Sequence, residues 1–146
     1  MKLAQRSNGS TVKSVIADLQ RICEEYATND NVEAPLHEVE MLSQWASVDA
    51  YYKVVISKYQ GIPTIVLAMK TFPENADVQS FCCSTLKSLN NKLMIHQADG
   101  VQAILNAMTN HPSSIVVQSE ALEALRFQAP LLPQEPPEVL QPLTAL

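Results

Sequence analysis

The chain spells one stretch twice. GIPTIVLAMKTFPENADVQS starts at Gly61, and GVQAILNAMTNHPSSIVVQS starts at Gly100. Residues 61–89 laid on 100–128 give nine identities in 29 columns without a gap. Unrelated segments of ordinary composition would share about two. The offset is 39 residues, and a period near 40 is the mark of an α-solenoid built from stacked helical units.

Periodicity within each copy predicts what a unit is. Ile62, Ile65, Val66 and Met69 fall at i, i+3, i+4 and i+7, as do Val101, Ile104, Leu105 and Met108. That is one apolar helical face written twice, and both methionines read as core. Phe72-Pro73 and His111-Pro112 then end the helix, because proline disfavours α geometry in the residue before it and lacks an N–H. Asn75 or Asp77, and Ser113 or Ser114, are placed to cap a second helix. Its apolar positions are Val78, Phe81, Cys82, Leu86 and Leu89 in one copy and Val117, Ala121 and Leu125 in the other.

A short element precedes each glycine, KVVISKYQG at 53–61 and KLMIHQADG at 92–100. Each is expected to end where the glycine takes a positive φ. Upstream, Val12, Val15, Ile16, Leu19, Ile22, Cys23 and Tyr26 predict an amphipathic helix over about 11–27. A polar loop at 28–35 follows, then a second face of Leu36, Val39, Leu42 and Ala46 beside Trp45. The organisation expected is a flexible N-terminus at 1–10 and a repeat domain at 11–128. That domain divides into a diverged repeat at 11–60 and repeats at 61–99 and 100–128. Five of the nine prolines lie in APLLPQEPPEVLQPLTAL, so 129–146 is expected to be a disordered Pro-rich tail.

The order Gly, apolar helix, proline loop, Val-Gln and a closing Leu-x-x-Leu resembles the armadillo repeat. The residues that carry the resemblance are Asp99-Gly100-Val101, Ala68-Met69, Pro73, Val78-Gln79, and Cys83, Leu86 and Leu89, within about 53–127. HEAT repeats are the nearest alternative. The resemblance implies an all-α, right-handed α-solenoid of about three units, in which the last helix of each unit lines a concave groove. Importin-type members carry Trp two residues before the helix Leu and Asn two residues after it. Those columns here hold Ser84 and Ser88, and Glu123 and Phe127. The ladder that grips a basic nuclear-localisation peptide is therefore missing. What the resemblance implies is a non-enzymatic interaction module that binds a protein or peptide. Ser84, Lys87, Ser88, Glu123, Arg126 and Phe127 are the candidate contact residues. Lys87 and Arg126 share a column near the helix end, where a cation suits the helix dipole or would meet an acidic ligand.

Other classes find little support. The net charge of −5 and the lack of a basic run argue against nucleic acid. No apolar run approaches the roughly 20 residues that span a bilayer, and MKLAQRSNGS lacks the apolar core of a signal peptide. Cys23, Cys82 and Cys83 form neither a disulfide framework nor a metal motif, which suits reduced thiols in a cytoplasmic protein. His37, His96 and His111 lack a catalytic context, His111 standing where the other copy has Phe72. No enzyme, cofactor or metal is expected. The second expectation is an end unit of a longer array, or self-association through the C-terminal repeat at Ala121, Leu125 and Phe127.

Overall fold

The computed structural model describes residues 9–128, which fold into eight α-helices: α1 Gly9–Tyr26, α2 Leu36–Val48, α3 Ala50–Lys58, α4 Gly61–Thr71, α5 Ala76–Leu89, α6 Lys92–Gln97, α7 Gly100–Asn110 and α8 Ile115–Gln128. The protein is all-α over these residues. The tail expected at 129–146 and most of the N-terminal segment expected at 1–10 lie outside them; α1 already begins at Gly9.

The helices form two layers. In one, α4 packs between α1 and α7; in the other, α5 packs between α2 and α8. The short α3 touches α1, α4 and α5, and α6 stands in the same relation to α4, α7 and α8. From α4 and α5 to α7 and α8 this arrangement steps along with the 39-residue sequence offset. The core runs between the layers through Leu19, Leu42, Trp45, Tyr52, Ile56, Ile62, Ile65, Leu86, Ile95 and Ile104, all fully buried.

Local chemistry repeats at the same offset. Asn75 Oδ1 accepts from Val78 N at 3.0 Å, and Ser114 Oγ accepts from Val117 N at 3.2 Å, each satisfying an orphan donor of the helix it starts. Gln79 Nε2 donates to the carbonyls of Met69 and Phe72 at 3.1 and 2.9 Å. Gln118 Nε2 does the same to Met108 and His111 at 2.9 and 3.0 Å. Pro73 and Pro112 stand four residues after Met69 and Met108 and offer no N–H, and the Phe72 and His111 carbonyls accept also from Asn75 N and Ser114 N, so the glutamine tethers each helix to the next.

One expectation is corrected. The positive φ before α4 and α7 belongs to Gln60 (64°) and Asp99 (68°), not to the glycines. Gly61 and Gly100 are instead the first residues of those helices. A Cβ on Gly61 would meet Ile56 O at 2.6 Å, and one on Gly100 would meet Ile95 O at 2.8 Å. Glycine is needed there for close approach of two backbones, not for its dihedral freedom.

The second copy of the apolar face is also only partly buried. Val66 is 2% exposed, whereas its counterpart Leu105 is 42% exposed, and Met108 is half-buried where Met69 is buried. The α7–α8 pair covers α4 and α5. Among the described residues nothing covers α7 and α8 in turn.

Candidate interaction surface

On α8 the buried residues Val117, Ala121, Ala124 and Gln128 define the core side. At about 100° per residue, Val116, Glu120, Glu123 and Phe127 lie along one flank of that side. The same columns of α5 are Asp77, Phe81, Ser84 and Ser88. A contact from Ser43 Oγ to Ser84 Oγ, at 3.3 Å, sets the register with α2 and brings Leu36, Glu40, Ser43 and Ser47 into the corresponding row. All twelve residues are exposed or half-buried. The second layer therefore presents a continuous surface of three helices, with half-buried Phe81 and Phe127 among serines and carboxylates.

Four of the six candidate residues come together here: Ser84 and Ser88 from α5, Glu123 and Phe127 from α8. The two cations do not. Lys87 points across to α8 and its Nζ pairs with Glu120 Oε1 at 2.8 Å, both side chains about a quarter exposed (27% and 28%). Arg126 lies on the side of α8 opposite the core and reaches back to Glu123 at 3.8 Å. Both cations serve carboxylates of the chain itself.

Trp45 is 2% exposed and stacks on Tyr52, with ring centroids 5.6 Å apart and planes 12° from parallel. It is a core residue joining α2 to α3. His111 Nε2 sits 2.8 Å from the Pro73 carbonyl. Because a carbonyl only accepts, that nitrogen carries the proton and donates, tying one proline loop to the next. The three thiols are free and buried. Burial pushes all three up: Cys23 modestly, Cys82 far, and Cys83 to about 12 with the Glu120 carboxylate adding to the effect. Buried thiols that resist ionisation are poor nucleophiles and poor metal ligands. Among the described residues no three His, Cys, Asp or Glu are grouped to hold a metal, and no helix is long and apolar enough to cross a membrane.

The C-terminal end differs from what the sequence suggested. Ala121 is fully buried, Leu125 is half-buried, and Phe127 belongs to the three-helix surface. The open end is Ile115, Ser119, Leu122 and Arg126, which lie diametrically opposite the core side. Their counterparts on α5 are Ala76, Ser80, Cys83 and Lys87, the stripe that faces α8. Cys83 is 0% exposed; Leu122 in the same column is 54% exposed, and Ile115 is 84% exposed. The signal in the sequence is the exchange of half-buried Ala76 for Ile115 and of buried Cys83 for Leu122 in equivalent columns.

No family model matches the chain, and no solved structure matches it. Among curated proteins, 117 residues are 40% identical to Protein aardvark of Dictyostelium discoideum. The match takes in 67% of this chain and 16% of that protein, so the chain spans about a sixth of the relative's length.

Proposed function

We propose that the chain is a right-handed α-solenoid of about three armadillo-like units, and that it works without catalysis as a protein-interaction module. An extended partner lies across α2, α5 and α8. The observation that carries this reading is the alignment of equivalent columns from three successive helices into one solvent-facing surface. A stack of similar units offers a long face and no enclosed pocket, which suits extended ligands.

The chemistry of that face favours a cationic partner with apolar anchors. Glu40 and Asp77 flank Phe81 and pair with no cation among the described residues, while Glu120 and Glu123 beside the rings are paired with Lys87 and Arg126. Carboxylates beside half-exposed rings attract Lys or Arg, electrostatically and through the ring face. An acidic ligand, which the repeated cation column suggested, has no free cation there to meet.

The test is a peptide array of varied charge and apolar content, probed with the full chain. Basic peptides with apolar residues should be retained, and retention should weaken with salt. The double variant Ser84→Arg, Ser88→Arg should cut retention about tenfold, roughly 1.4 kcal/mol, and Phe127→Ala should weaken it further. Binding unchanged after all three substitutions removes this surface from consideration.

A further inference from the structure

Residues 9–128 carry eight Lys and Arg. Four of them, Arg21, Lys70, Lys87 and Arg126, pair with carboxylates. Two more, Lys13 and Lys58, lie over the Tyr59 ring at 5.4 and 5.7 Å from its centre. Lys53 and Lys92 remain, and neither ammonium has a hydrogen-bond, ion-pair or ring partner among the described residues. The two stand 39 residues apart, in equivalent columns of the short helices α3 and α6. With Ser57, Asn90 and Asn91 they line one depression of about 550 Å³, where α3 meets the turn between α5 and α6. The rest of its lining, Val54 and Leu89, is apolar, so no carboxylate faces the two cations. Both lysines are half-buried.

We infer that this depression is a binding site for a phosphate monoester carried on a partner protein: a phosphorylated serine, threonine or tyrosine. Two like charges held at one recess repel each other and lose part of their hydration. The other described cations are offset by a carboxylate or a ring. Here the lining offers only the C-terminal end of α5, worth about half a negative charge. A phosphate monoester brings about −1.5 to −2 at neutral pH and three acceptor oxygens. Donors for those oxygens are in place. The Asn90 amide and the Ser57 hydroxyl have no hydrogen-bond partner among the described residues. The Asn91 amide has only the Met94 sulfur at 3.1 Å, a weak acceptor. Asn90 is held at the rim by a left-handed turn (φ 51°), with its backbone N–H donating to Leu86 O at 3.2 Å.

Other anions fit this recess less well. A single carboxylate leaves one lysine unmatched. Nucleic acid is held through many phosphates along a strand, and this recess offers two cations on a chain of net charge −5. An anionic membrane suits cations that project from a face, whereas these are half-buried around a recess. A bare phosphate ion is much smaller than the recess, so the group is expected on a chain that fills the remainder. The site shares no residue with the α2–α5–α8 surface and does not depend on that reading.

The test is an NMR titration of the isotope-labelled full chain with a blocked glycine–phosphoserine–glycine peptide at constant ionic strength. Saturable shifts are expected in the amides of Ser57, Asn90, Asn91 and Lys92. Inorganic phosphate should act more weakly at the same amides, and the unphosphorylated peptide should give no shifts. Lys53→Gln and Lys92→Gln should each weaken binding about tenfold, the loss of one charge-assisted contact. Their circular dichroism spectra and melting midpoints should match the wild type, since both side chains reach solvent. Lys58→Gln removes a cation outside the recess and should leave binding nearly unchanged. Shifts that do not saturate, or equal binding of the two peptides, overturn the inference. So does an equal loss from Lys58→Gln, which describes diffuse attraction to a basic edge, or inorganic phosphate that binds as tightly as the peptide. Phosphatidylserine vesicles form a second arm. Val54 and Leu93 are 65% and 58% exposed beside the lysines. Vesicle binding that Val54→Asp and Leu93→Asp abolish, without phosphopeptide binding, assigns the edge to a membrane instead. The basic-peptide array repeated with Lys53→Gln should be unchanged, which separates this site from the α2–α5–α8 surface.

Discussion

Cys82 and Cys83 are neighbours on α5 yet have different surroundings. Cys82 is buried in the core near Cys23, and Cys83 lies toward α8 near Glu120. Burial raises both pKa values, and Cys83 reaches about 12. An unfolded thiol ionises near about 8.5. Between those two values the folded chain holds protons that the unfolded chain releases, so stability is fully present below about pH 8.5 and falls as pH rises toward 12. One such thiol gives a slope of up to about 1.4 kcal/mol per pH unit. Urea midpoints of the wild type should drop between neutral and alkaline pH. Those of Cys83→Ala, lower at neutral pH because a side chain is lost, should drop less steeply. Equal slopes would mean that Cys83 ionises as easily folded as unfolded, which its burial contradicts.

At the scale of elements, the glutamine tether is the device that makes one helix follow another. Gln79 is 2% exposed and bridges two carbonyls at the end of α4. Gln79→Ala leaves the Met69 carbonyl buried without a donor, while that of Phe72 keeps Asn75 N at 3.2 Å, which should cost about 1–3 kcal/mol. Gln118 makes the same bonds but is only half-buried. Water can replace its amide, so Gln118→Ala should cost less than half as much, measured as the difference in chemical denaturation midpoints. Equal losses would show that burial does not set the cost. The Val-Gln-Ser columns were legible in the sequence as a repeated motif, and so were the two apolar helices and the proline loops, while each cap was narrowed to two candidates, of which Asn75 and Ser114 make the bond. The reason for the glutamine was not, because its partners lie ten and seven residues back and meet it only once the hairpin closes. Nor was the left-handed turn at Gln60 and Asp99, since glycine in the next position is the more obvious candidate for a positive φ. For the candidate surface, the sequence marked Ser84, Ser88, Glu123 and Phe127 but could not show Lys87 turning away to Glu120 or α2 adding its row.

At the scale of the whole molecule, the solenoid reading proposed above makes each helix pair depend on its neighbours, so position along the fold should set local stability. The α4–α5 pair is covered on both sides, by α1 and α2 and by α7 and α8. The α7–α8 pair is covered by α4 and α5 on one side and leaves Leu105, Ile115 and Leu122 open on the other. Identical apolar columns therefore have different worth, which no reading of a single unit could reveal. Amide hydrogen exchange should be slowest in α4 and α5 and, among α4 to α8, fastest in α7 and α8. Uniform protection across α4 to α8 would describe a block that opens all at once, and the nearest-neighbour account of its stability would then fail.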